Sequence, residues 1–388
     1  MSAAEVDREF VLSVLRDLVR INSVNPALDP EGPGEREAAQ YVAKLLQDAG
    51  LEVYSHEPQP GRVSVVGRLK GIKPGPSLML NGHLDTVGVQ GMSEPFSGRV
   101  EQGKLYGRGS YDMKGGVAAC VGAAAALAQA GAPFCGELLV AAVADEEHAS
   151  LGTADLLSKY RPNAAIVTEP THLEVCLAHK GFAWIEVETA GKAAHGSRPD
   201  LGVDANLAMG LFLSRLKGLE QELRSRPPHH LVGTPSLHVG VLRGGTAPSV
   251  YADSCKAIIE RRTVPGETET EILEEIRELL GRLQSEDPSF RAEVKTLLVR
   301  DPFEADPNSP IVSAVAKAAE QTLGKPASFC GQTPWMDSAL LARAGIDTVV
   351  IGPAGAGAHA AEEWVDAESV VQLSRILIQA ALEYSGAA

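Results

Sequence analysis

Apolar residues recur at helical spacing over 5–20 (Phe10, Val11, Val14, Leu15, Leu18, Val19), which predicts an opening helix. A Pro/Gly-rich loop, NPALDPEGPGE, follows, and 35–49 reads as a second helix closed by Gly50. Strand-like runs then cover 51–56, 62–69 and 78–80, the last feeding directly into His83. Residues 93–106 read as a surface excursion with a short hairpin, ahead of a glycine-rich turn over 107–114 and a helix over 115–130. The apolar strand GELLVAAVA runs into Asp145, Glu146 and Glu147, and after a helix over 152–159 a second one, AAIVTEP, ends at Glu169. Short apolar strands alternating with helices predict a three-layer α/β/α fold around a mostly parallel sheet, with its site at the carboxyl edge.

The pattern changes near Lys180. FAWIEVETA alternates apolar and polar residues as a half-exposed strand does, and it is followed by an amphipathic helix over 202–220. Two strands (SLHVGVLRGG and CKAIIERRTV), a charged helix over 267–284 and a strand over 291–298 complete a β-α-β-β-α-β order, that of a ferredoxin-like α+β module. After Phe303 the α/β pattern returns, with helices over 309–322, 337–344 and 366–383, the strand DTVVIG and a Gly-rich loop carrying His359. The expected organisation is a discontinuous catalytic domain, 1–178 and 299–388, interrupted by an inserted domain over 179–298.

Composition narrows the partners. The net charge is −15 and no Lys/Arg run exceeds a pair, which argues against nucleic acid and against an anionic membrane surface. The Ala/Gly-rich stretch 115–134 reads as a tightly packed buried helix, not a membrane span. MSAAEVDREF has neither the basic start nor the apolar segment of a secretory signal. The five cysteines are scattered and odd in number, as expected of reduced thiols in a cytoplasmic protein.

Chemistry gathers at the strand ends. In GHLDTV, His83 and Asp85 share one face of a strand, and a carboxylate there can orient a metal-binding imidazole. Asp112 sits in the glycine-rich GRGSYDMK, and Glu147, Glu169 and His359 close other strand or loop ends. Mixed imidazole and carboxylate ligands suit zinc or a similar first-row ion such as cobalt or manganese. Carboxylates outnumber imidazoles in this set of five, which favours two ions sharing a bridge, with Asp112 as that bridge. Successive glutamates diverge, so Glu147 is read as a ligand and Glu146 as the base that takes a proton from the attacking water. Singly, each residue could be an ordinary cap, turn or surface group; together they predict a metallohydrolase.

GHLDTV, GRGSYDMKGG, DEE, TEP and GAHAAEEWV, in this order and spacing, resemble the di-zinc metallopeptidase family of acetylornithine deacetylase, succinyl-diaminopimelate desuccinylase, aminoacylase and carboxypeptidase G. The resemblance covers nearly the whole chain. It implies one zinc on His83 and Glu169, another on Glu147 and His359, Asp112 bridging, Asp85 as partner of His83, and Glu146 as base. It also implies a cis peptide at Asp112–Met113 and an insert that serves as lid and dimerisation domain of a homodimer. There GKAAHGSRPDLGVDAN carries His195, which would stabilise the oxyanion, and ERRTVPGE carries Arg262, which would clamp a substrate carboxylate. Gly352 and Asp337 would line the substrate pocket, with Trp335 and Met336 either shaping it or packing a core. The chain departs from the family pattern at His148, Ala149 and Ser150, and at Ser249-Val250-Tyr251-Ala252. The implied substrate is a small N-acyl amino acid, with deacetylation of the acetylornithine kind foremost. A dipeptidase or a glutamate-releasing carboxypeptidase is the alternative within the family, and a non-catalytic binding member the alternative outside enzymology.

Overall fold

The computed structural model describes residues 4–386; the first three residues of the amino-terminal stretch discussed above lie outside them. The chain forms two compact units. One runs to Leu177 and resumes over Ala305–Cys330 and from Met336; the other is Ala178–Glu304 with Gly331–Trp335.

The first unit opens with α1 (Arg8–Arg20), capped by the Asp7 side chain and burying Val11, Val14, Leu15, Leu18 and Val19, the face that the periodicity marks. Then come α2 (Arg36–Asp48), β1 (Glu52–Gln59), β2 (Arg62–Lys70), β3 (Lys73–His83), β4 (Arg99–Glu101), β5 (Lys104–Tyr106), α3 (Gly115–Gln129), β6 (Cys135–Val143), α4 (Leu151–Leu156), β7 (Ala164–Val167) and β8 (Val175–His179). The main sheet has the order β1-β2-β6-β3-β7-β15-β8, where β15 is Asp347–Val350. It is parallel only through its centre, β6-β3-β7-β15. Its flanks are antiparallel, so the sheet is mixed, not mostly parallel. At one flank the reason is local: only Pro60 and Gly61 separate β1 from β2, and so tight a connection can join only antiparallel neighbours. Strand β8 escaped the periodicity because VCLAH is short and continuously apolar, with no alternation to mark it.

Helices cover both faces. A Cβ at Gly67 of β2 would meet Leu46 of α2, whereas one at Gly152 of α4 would meet the Ser64 hydroxyl of the same strand. Positions 64 and 67 lie on opposite faces of a strand, which fixes the three-layer arrangement. Helix α3 is apolar all round and buried from Gly115 to Leu127 except at Ala125, and Gly116 lets it approach the Thr168 backbone, where a Cβ would lie 2.2 Å from the carbonyl oxygen. Among the described residues no helix is long and apolar enough to cross a membrane, and all five cysteines are free.

The second unit is the ferredoxin-like module: β9 (Gly181–Ala190), α5 (Ala205–Ser225), β10 (Ser236–Gly244), β11 (Ser254–Thr263), α6 (Glu269–Glu286) and β12 (Ala292–Arg300), with sheet order β10-β11-β9-β12, all antiparallel. Its core is Ile185, Val187, Phe212, Leu216, Ile259 and Ile276 with their neighbours. After β13 (Phe303–Glu304), the first unit resumes with α7 (Pro310–Leu323), β14 (Phe329–Gln332), α8 (Ser338–Arg343) and β15, and ends with β16 (Gly355–Ala356), β17 (Trp364–Asp366) and α9 (Ala367–Ser385). β16 and β17 join β5 and β4 in a small antiparallel sheet that brings the His359 loop to the rest of the unit.

Candidate metal centre

Strand register assembles the centre. In the parallel core His83 pairs with Val143 and Asn81 with Val167, so the residues just past β6 and β7 emerge beside His83. Glu169 stands two residues beyond Val167 as His83 stands two beyond Asn81, and Asp145 to Glu147 emerge on the other side. Asp112 arrives from the distorted turn Ser110–Lys114, entered through Gly109 at φ 77° and containing a cis peptide between Asp112 and Met113. His359 arrives from the β16–β17 loop, itself in the left-handed region at φ 61°.

Two imidazoles face four carboxylates. The His83 Nε2 atom lies 3.2 Å from Asp112 Oδ1, 3.5 Å from Glu169 Oε1 and 3.9 Å from Glu146 Oε2. The His359 Nε2 atom lies 3.3 Å from Asp112 Oδ2 and 3.0 Å from Glu147 Oε2. Asp112 thus turns one oxygen to each imidazole. His83, Glu146 and Glu169 form one group of ligand atoms all within 4.8 Å of one another, and His83, Asp112 and Glu147 form a second. The two groups overlap at His83, and with Asp112 turned to both imidazoles this set of nitrogen and carboxylate donors fits two divalent cations.

Proximity perturbs the titrations. Burial would lower the His83 pKa, but Glu169, Asp112, Glu146 and Asp85 carry it well above the ordinary imidazole value. Hydrogen bonds with Asp112 and Glu147 raise His359 to about 10. Burial, then the Asp112 charge, raises Glu147 to about 7; burial also pushes Glu146 and Glu169 well above the carboxylate range. Burial works the same way on Asp112, yet hydrogen bonds from both imidazoles hold it below its usual value. Without cations the centre therefore stores protons at neutral pH, and a divalent cation must displace them. Cation affinity should rise as pH climbs from about 7, where Glu147 titrates, towards about 10, where His359 does. Calorimetric titration in buffers of different ionisation enthalpy would measure the proton release; a binding enthalpy independent of buffer would contradict it.

Three expected roles change. The His83 Nδ1–H donates to the Asp85 backbone carbonyl at 2.9 Å, while the Asp85 carboxylate stands at 3.6 Å. That carboxylate instead accepts the Glu146 N–H at 3.0 Å and the Glu147 N–H at 3.1 Å, because β3 and β6 end side by side. Asp337 does not line an open pocket: it is 1 % exposed and accepts the Thr153 hydroxyl, and burial raises its pKa to about 6. Gly352 packs on the Glu169 backbone so closely that a Cβ would lie 1.9 Å from that carbonyl oxygen, so it makes room for Glu169. Met336 is core, and Trp335 belongs to the second unit, where it donates to the Asp301 carbonyl and packs edge-on against Phe182 and His179. Ser150 takes a left-handed conformation at φ 55°, which is uncommon for a residue other than glycine.

Glu363 is the main residue that motif reading overlooked, although it lies within GAHAAEEWV. It is buried and its carboxylate accepts the backbone N–H groups of Gly109, Tyr111 and Asp112, each at 3.0 Å, and the Arg108 guanidinium at 2.7 Å. One buried side chain thereby ties the Asp112 turn to the segment that carries His359.

His195 and Arg262 belong to the second unit. His195 Nδ1 lies 2.8 Å from the Ser197 hydroxyl oxygen and 3.2 Å from the Ser197 backbone nitrogen. Its loop lies along the departing segment: Gly196 N–H donates to the Ser249 carbonyl and Tyr251 N–H to the Ala194 carbonyl. The adjacent arginines of β11 point to opposite faces. Arg261 is buried and paired with Glu267 and Glu275, whereas Arg262 is partly exposed, bonded to Glu260 at 2.7 Å and 5.3 Å from the Phe182 ring centre.

The sequence profile of peptidase family M20/M25/M40 matches residues 79–383. Acetylornithine deacetylase of Myxococcus xanthus is 31% identical over 90% of this chain and 90% of its own length. N-formyl-4-amino-5-aminomethyl-2-methylpyrimidine deformylase of Halalkalibacterium halodurans is 28% identical over 97% of this chain and 95% of its own. Among solved structures, the YXEP protein of Bacillus subtilis, a dinuclear metal binding peptidase, superimposes with a TM-score of 0.76 at 18% identity, covering 98% of this chain and 99% of its own; that likeness is one of fold.

Proposed function

We propose, from the premise that this chain belongs to peptidase family M20/M25/M40 and is a metal-dependent amide hydrolase, that it cleaves N-acyl amino acids, foremost by deacetylation of the acetylornithine kind. The observation that carries the reading is the pair Glu146 and Glu147 on one turn. Glu147 faces His359 while Glu146 faces His83 and Glu169, which gives adjacent carboxylates separate surroundings. His83 with Glu169, and Glu147 with His359, would hold two divalent ions sharing Asp112, zinc before cobalt or manganese; when bound, they supply Lewis acidity for the scissile carbonyl and the attacking water. Glu146 takes the proton of that water and returns it to the leaving amine. A carboxyl that burial and its neighbours have pushed upward is suited to both transfers. His195 would stabilise the developing oxyanion through Nε2, a role that the engagement of Nδ1 by Ser197 supports. Arg262 would bind the substrate carboxylate, which its outward position supports. The reading takes the enzyme as a cytoplasmic homodimer joined through the second unit, where α5 exposes Leu207 and Leu211 one turn apart; a solution mass of a single chain would remove that element.

A panel of N-acetyl, N-formyl and N-succinyl amino acids with several dipeptides tests the substrate. The expected order places N-acetyl amino acids first in kcat/KM. Preferential cleavage of dipeptides, or of formyl compounds, would transfer the assignment within the family.

A further inference from the structure

We infer that Asn25 and Arg62 are positioning residues for the Glu146–Glu147 turn, acting through a buried hydrogen-bond network that ends on its two backbone N–H groups. The inference rests on the roles proposed above for these glutamates.

Asn25 lies in the loop after α1, tied by its own N–H to the Thr86 carbonyl at 2.9 Å. Its side chain is fully buried and uses all of its bonding capacity. The amide nitrogen donates to Asp85 Oδ2 at 2.8 Å and to Asp145 Oδ1 at 3.0 Å; the amide oxygen accepts Arg62 Nη1 at 3.0 Å and the Ala27 N–H at 3.0 Å. Arg62 extends the network with Nε to Glu35 at 3.0 Å, Nη2 to the same carboxylate, and Nη2 to Asp145 at 2.8 Å. At the other end Asp85 spends one oxygen on the Glu146 N–H and the other on the Glu147 N–H. The route therefore runs from Glu35 and Arg62 through Asn25 to Asp85 and on to the backbone of both glutamates.

Its composition argues for placement beyond mere cohesion. Glu35, Asp85 and Asp145 are each 0 % exposed, and the single Arg62 guanidinium pairs with only two of them, Glu35 and Asp145. Burying more carboxylates than cations is costly, and apolar packing of equal volume is commonly as stable or more so. What such a network provides instead is a fixed direction for each bond, because every member is constrained by two or more partners. Asparagine is the residue suited to the pivot: its donors face two carboxylates and its acceptor faces the guanidinium. An aspartate would set a third carboxylate against Asp85 and Asp145.

The test uses Asn25→Asp and Arg62→Lys in the full chain, with kcat, KM and cation affinity by chelator competition measured well below each unfolding midpoint. Asn25→Asp is expected to lower kcat by about 10- to 100-fold with KM within about threefold, and to weaken cation affinity by a similar factor, since Glu147 moves with Glu146. Arg62→Lys keeps the charge but not the planar fork, and should show a smaller loss in the same direction. Glu146→Ala, run in parallel, separates the two ideas: if it stays active, the proposed reaction falls regardless of the network. If it is inactive while a folded Asn25→Asp keeps kcat and cation affinity within about twofold, the network is structural and the inference is overturned. Should Asn25→Asp not fold, Arg62→Lys is judged by the same thresholds.

Discussion

Replacing Glu146 by Ala should reduce turnover by about 10²–10⁴-fold, the usual contribution of a positioned general base, while leaving metal content unchanged. The expectation follows from how the turn splits its two carboxylates. Glu147 stands within 3.2 Å of the His359 imidazole through both of its oxygens. Glu146, held by the neighbouring N–H, keeps its carboxylate 3.9 Å from His83, beyond hydrogen-bond range. Elemental analysis of the purified variant beside its kcat decides the matter. Glu146 also belongs to a compact group with His83 and Glu169. If the variant lost metal together with activity, Glu146 would be a ligand; if activity survived, the proposed mechanism would fail.

Asp112→Asn should have the second large effect. The Asp112 carboxylate directs one oxygen towards His83 and the other towards His359. An amide of the same shape replaces one of those oxygens with a donor, which repels a cation. Loss of an outer-shell partner already costs about 10- to 100-fold in metal affinity, so loss of a shared direct ligand should exceed about 100-fold and affect both ions together. Chelation of the unaltered protein should likewise abolish hydrolysis, with recovery on returning a divalent cation. Full activity after exhaustive chelation would refute a metal-dependent reaction, and a variant retaining one ion at unchanged affinity would refute the sharing of Asp112.

The centre and the fold were legible in the chain to different depths. Apolar periodicity over 5–20 and 115–130 and the apolar runs before His83, Glu147 and Glu169 depend on neighbours within one turn or strand, so α1, α3, β3, β6 and β7 follow from local sequence. The insert is equally readable, because its strands alternate and its helices are amphipathic. The candidate ligands stand out for a related reason: each lies at a strand end or glycine-rich turn, where polar residues need an explanation.

Other features depended on partners far along the chain. Strand β8 and the flanks of the sheet are decided by which strands lie beside them, not by their own pattern. Asp85 was read as serving His83 two residues away, yet its carboxylate bonds the backbone sixty-one and sixty-two residues on. Glu363 reaches back more than 250 residues to the Asp112 turn, and Asn25 joins Arg62, Asp85 and Asp145. The sequence by itself determined the elements, the residue types at their ends and the class of chemistry, because these follow from short-range sterics and hydrophobic periodicity. Only the tertiary structure decided which carboxylate orients which group, because a buried hydrogen bond is chosen by whatever partner the packed strands bring within about 3 Å.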